Sequence, residues 1–69
     1  MSAPETIYDI FSGTIHGDAR WLLAVSGMRN AINVMNRLAA NHPGAYFVFD
    51  GLARSAVAQI NTLEERLTA

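Results

Sequence analysis

Residues 28–41, MRNAINVMNRLAAN, and the eight that follow, HPGAYFVF, decide the fold. Met28, Ala31, Ile32, Met35, Leu38 and Ala39 recur at spacings of three, one, three, three and one. That is an apolar stripe of helical period. Arg29, Asn30, Asn33, Asn36, Arg37 and Ala40 cover the rest of the surface, with Val34 at the margin. Ser26-Gly27 precedes the stripe, and a serine there suits the N-cap. Asn41-His42-Pro43-Gly44 ends it, because proline disfavours helical geometry in the residue before it and glycine permits a sharp exit. Ala45 to Phe49 is dense in strand formers, and Asp50-Gly51 after it signals a hairpin.

Upstream, Thr6 to Ser12 reads as a strand with Tyr8 and Ile10 on one face and Ile7, Asp9 and Phe11 on the other. Both faces are partly apolar. Thr14 to Asp18 is a loop between Gly13 and Ala19. A second strand follows, in which Ala19, Trp21, Leu23 and Val25 alternate with Arg20, Leu22 and Ala24. Because Arg20 lies in the second set, the first set is assigned to the core and Leu22 with Ala24 to the opposite face.

The last third supports two readings. Leu52, Ala56, Ile60, Leu63 and Leu67 are spaced four, four, three and four, as in a helix. The Asp50-Gly51 turn argues instead for a strand from Ser55 to Asn61 beside the previous one, with Thr62 to Leu67 as a short helical tail.

The composition excludes much. The chain has 69 residues, 51% of them hydrophobic and 16% charged, with a net charge of −1. It is read as a single small domain, residues 1–69. There is no cysteine and no lysine, all five basic residues being arginine. Disulfides, thiol chemistry, Schiff-base lysines and phosphate-loop lysines are therefore out. A near-neutral chain lacks the electrostatic footprint of a nucleic-acid binder. The longest apolar runs, Trp21 to Val25 and Ala45 to Phe49, are five residues, against about 20 for a bilayer span. The first residues show no basic stretch followed by an apolar one, so no secretory signal is read and the expected compartment is the cytoplasm.

Tyr8-Asp9-Ile10-Phe11, Trp21-Leu22 through Gly27-Met28, Met35 to Ala40, Pro43-Gly44-Ala45-Tyr46-Phe47-Val48-Phe49 and Ala58-Gln59-Ile60 together resemble a group of very short bacterial proteins. The likeness covers roughly residues 7 to 60. It implies an α+β fold, a two-layer ββαββ unit with an antiparallel sheet packed by one helix, and it tips the last third towards strand. It brings no activity and no catalytic residue with it. In that layout Trp21, Leu23, Ile32, Met35, Leu38, Phe47 and Phe49 are expected between the helix and the sheet.

Few residues could carry chemistry. His16 and Asp18 sit two apart in a polar loop, where a carboxylate can orient a histidine. Two ligands do not close a metal site, however, and a solvated turn explains the loop as well. His42 lies at the end of the helix, where the dipole gives it a structural reason to be. No catalytic residue, metal or cofactor is assigned. Asn30, Asn33, Arg37 and Asn41 form a polar row on one helical face, able to read bases or a peptide, or simply the solvated side.

The functional expectation follows from size. A core below about 70–80 residues rarely supplies more than roughly 3–5 kcal/mol. Apolar residues are left over once one core is filled: Leu22, Ala24, Val34, Leu63 and Leu67 are the interface candidates. The chain is read as a self-associating interaction module, a homodimer without catalysis, that could also hold another protein. The alternative is an accessory enzyme or metal-binding subunit completed at a dimer interface around His16 and Asp18, with His42 as a third polar candidate.

Overall fold

The structure, a computed structural model, describes residues 6–62. Four strands and one helix follow in chain order: β1 Ile7–Ser12, β2 Arg20–Ser26, α1 Met28–Asn41, β3 Ala45–Asp50 and β4 Ser55–Asn61. The sheet is antiparallel throughout, in the order β2-β1-β3-β4. Helix α1 packs against all four strands. This is the two-layer ββαββ unit, and the segment from Ser55 to Asn61 is a strand. Of the expected helical tail from Thr62 to Leu67, all but Thr62 falls outside the described residues.

The core sits between α1 and one face of the sheet. Ile10, Ala31 and Val48 are completely buried, and Met35, Ala39 and Tyr46 join them. Alanines at 31 and 39 let the helix approach the sheet closely, while Met35 fills the space between them. Tyr8, Leu22, Leu23, Val25, Val34, Leu38, Ala58 and Ile60 pack around this cluster, half-buried. Burying each of the larger aliphatic side chains contributes about 1.5–3 kcal/mol.

Two irregularities change which side chains face the helix. Ile10 pairs with Leu23 but Phe11 pairs with Trp21, so Leu22 is an extra residue in β2. In the same way Val48 pairs with Ala58 and Phe49 with Ala56, which makes Val57 an extra residue in β4. A bulge breaks the two-residue alternation and sends the residues beyond it to the opposite face. Strict alternation put Trp21 in the core with Leu23. The bulge instead turns Leu22 onto the core cluster and Trp21 away from it, 55% exposed. Phe47 and Phe49 are corrected likewise. In β3 it is Tyr46 and Val48 that meet the helix, so the phenylalanines project from the other face.

The connections also differ in detail from the sequence reading. The N-cap is Gly27, at φ 88°, rather than Ser26; Asn30 Nδ2 donates back to the Ser26 carbonyl at 3.0 Å. At the other end His42 N donates to the Leu38 carbonyl at 2.8 Å, and Tyr46 Oη donates to the His42 carbonyl at 2.6 Å. Thr62 ties the end of β4 to the α1–β3 turn: its N–H donates to the Gly44 carbonyl at 3.1 Å, and its hydroxyl accepts from Gly44 N at 2.8 Å. The β3–β4 hairpin is not a two-residue turn on Asp50-Gly51. Its loop runs from Gly51 to Arg54, the Asp50 carboxylate accepts from Leu52 N and Ala53 N, and the positive φ falls on Arg54.

Candidate functional site

Two rows of side chains cross the sheet face that α1 does not cover. Trp21, Phe11, Phe47 and Gln59 form one; Ala24, Asp9, Phe49 and Ala56 form the next. Ile7 stands beyond them on β1. The central strands supply the rings because β-strand propensity favours aromatics there, and the strand period places Phe11, Phe47 and Phe49 on one side.

The rings contact each other in two geometries. Phe11 stacks on Phe47 with centroids 5.0 Å apart and planes 7° from parallel. Phe49 meets Phe11 edge-on at 6.2 Å and 82°. Such contacts are worth about 0.5–1.5 kcal/mol beyond the buried area. Beneath this cover Phe47 is buried, whereas Phe11 and Phe49 are half-buried. Towards the β2 edge, Trp21 Nε1 donates to Asp9 Oδ1 at 3.1 Å, in a solvent-exposed contact. That bond satisfies the indole N–H and sets the ring over the sheet, its apolar body open to water. Ile7 is 56% exposed on the same face. At the β4 side Ile15, from the β1–β2 loop, lines a shallow pocket of about 200 Å³ with Ala56, Val57, Ala58 and Gln59. No described helix or strand packs over this face, onto which the β1–β2 loop brings Ile15, and no described helix is long and apolar enough to cross a membrane.

The residues singled out from the sequence are dispersed. Ala24 is exposed on the aromatic face, beside Asp9. Leu22 and Val34 are half-buried against the core cluster. Leu63 and Leu67 lie outside the described residues. His16 and Asp18 are both exposed in the β1–β2 loop, and His42 is exposed at the helix end. The loop and the helix end share one end of the sheet, where Gly13 N donates to the Ala45 carbonyl at 2.8 Å. Even so, among the described residues no three His, Cys, Asp or Glu side chains gather in a way that could hold a metal. What arises instead is a partly exposed aromatic sheet face that carries the Asp9 carboxylate on a central strand. Sequence reasoning missed it because the bulge at Leu22 has no signature in the apolar run Trp21 to Val25. The placement of Ile7, Asp9 and Phe11 on one side of β1 was the available clue.

Comparisons with family models, curated proteins and solved structures found no match to this chain.

Proposed function

We propose that this protein is a small cytoplasmic interaction module that pairs with a second copy of itself through the aromatic sheet face, with no catalysis of its own. The observation that carries the reading is Trp21. A large ring, 55% exposed, stands beside a stacked phenylalanine pair on the sheet face opposite α1. Large aromatic side chains are enriched in protein interfaces because they bury much area at little entropic cost. The helix side already has its core; Trp21 and Ile7 are exposed on the opposite face, while Leu52 and Met28 are exposed away from it, and an apolar sheet face suits a self-complementary two-fold contact.

Size sets the strength. Four strands of about six residues span roughly 20 Å by 15–20 Å, or on the order of 300–400 Å² of flat face per copy. The resulting contact, about 600–800 Å² in total, is smaller than a standard specific interface and belongs to the weak, transient class. Association is therefore expected to be weak and concentration-dependent. A nucleic-acid platform fits less well: the best-stacked ring, Phe47, is buried, and the Asp9 carboxylate on the same face repels phosphate.

Sedimentation equilibrium across micromolar to millimolar concentration tests the proposal. The expected mass rises from 7.5 kDa towards twice that value. Trp21→Glu should hold the protein at the monomer mass with unchanged far-ultraviolet circular dichroism. A monomer at every concentration in the unmodified protein contradicts it.

A further inference from the structure

A second surface lies at the opposite edge of the sheet from β4. Strand β2 has β1 on one side and no described strand on the other. Along its outer edge runs an open groove of about 520 Å³, walled by Ala24, Val25 and Ser26 of β2 and by Asn30, Asn33, Val34 and Arg37 of α1. The strand wall is the regular half of β2, beyond the bulge at Leu22. It carries no charge and no proline, the usual devices that discourage pairing at an edge. The helix wall presents Asn30, Asn33 and Arg37 at positions i, i+3 and i+7, so they line up along the groove. Asn30 is engaged by the Ser26 carbonyl. Arg37 is exposed and makes no ion pair with any described residue. Among the described residues it is the only ionisable side chain in the groove wall.

We propose that this groove binds an extended peptide segment that adds to β2 as a further strand and offers a carboxylate to Arg37. The outward backbone N–H and C=O of Ala24 would supply the ladder hydrogen bonds, as in other strand-addition sites, the Ser26 carbonyl being held by Asn30. The half-buried Val25 and Val34 give an apolar floor for alternate side chains, and the Asn33 amide can bond the peptide from the helix side. Charge selects the occupant: an arginine fork with no acidic neighbour in the wall matches a carboxylate in bidentate geometry. The carboxylate can be an Asp or Glu side chain or a chain terminus. This inference does not depend on the aromatic face.

The test uses isotope-labelled protein and acetylated peptides of about eight residues with alternating valine and threonine. In one set a single glutamate is walked along an amidated peptide; in the other a free C-terminal carboxylate replaces it. Amide shifts at Leu23 to Ser26, Asn33 and Arg37 are followed. Saturable shifts there are expected with at least one acid-bearing peptide, and which set binds identifies the source of the carboxylate. Arg37→Glu should weaken binding about ten-fold or more, as loss of a charge-assisted bond implies. A lysine in place of the glutamate should restore binding to that variant. Arg37 is exposed, so circular dichroism should confirm that the variant stays folded. Trp21→Glu should bind the peptide normally. No shifts with any peptide, or binding indifferent to Arg37→Glu, overturns the proposal. So do groove shifts that follow protein concentration alone, because they place a second copy there instead.

Discussion

Phe11 lies flat against Phe47, with 5.0 Å between ring centroids and 7° between planes, as a directly opposed pair on β1 and β3. Because Ile10 and Val48, the next pair along the same two strands, point into the helix-side core, the phenylalanine stack must point away from it. The sheet thus carries apolar side chains on both faces, and only one has a helix. Phe47→Ala is expected to destabilise the fold by about 3–5 kcal/mol, as for other buried aromatics, even though the ring never touches the main core. Urea titration followed by circular dichroism measures this; a loss below about 1 kcal/mol would show that the stack is not structural.

On the helix side the tight positions are small. Ala31 is completely buried and Ala39 nearly so. Ala31→Leu is expected to cost about 1–3 kcal/mol by overpacking, and Ile10→Ala about 2–5 kcal/mol by leaving a cavity. The same titration checks both. Leu38→Ala should cost less than Ile10→Ala, since Leu38 is only half-buried at the edge of the cluster.

The glycines separate two kinds of turn. Gly13 has φ +100°, and a Cβ there would lie 2.5 Å from the Asp18 carbonyl oxygen. Gly51 has open space around it. Gly13→Ala is expected to lower the melting temperature clearly, whereas Gly51→Ala should be neutral or slightly stabilising. Arg54 holds φ 56°, so Arg54→Gly should relieve up to about 1 kcal/mol of left-handed strain. Equal melting temperatures for the two alanine variants would refute this account of the turns.

Tyr46 and His42 give a paired test of side chain against backbone. Tyr46 Oη donates to the His42 carbonyl, not to the imidazole. Tyr46→Phe is expected to cost about 0.5–1.5 kcal/mol, while His42→Ala should change stability by less than about 0.5 kcal/mol. Reversal of that order, in denaturant titrations of the two variants, would place a structural role on the imidazole.

The elements themselves were readable because each announces itself locally. The stripe through Ala31, Met35 and Ala39 has helical period, Pro43-Gly44 stops it, and Asp50-Gly51 separates two strand-forming runs. The candidate site was not readable, for reasons that can be named. In Trp21 to Val25 and Ala45 to Phe49 every residue is apolar, so no polar partner marks the outward face. Strand period then fixes the face only relative to a register, and a bulge at Leu22 resets it. The Ser26 cap failed for a related reason: Gly27 adopts a positive φ that begins the helix one residue later. Arg54 carries the left-handed position of the hairpin although Gly51 is better suited to it, and nothing in the local sequence foretells that.

Trp21 is the chain's only tryptophan and stands on the proposed interface, towards its β2 edge, so its fluorescence reads the central claim directly. Emission is to be recorded on serial dilution from millimolar to nanomolar protein. Self-association through the aromatic face predicts a blue-shifted maximum at high concentration that moves to the red on dilution, with a midpoint matching the sedimentation mass change. Emission that stays at a solvent-exposed wavelength at every concentration, in a protein that sediments as a dimer, would place the interface elsewhere and contradict the account.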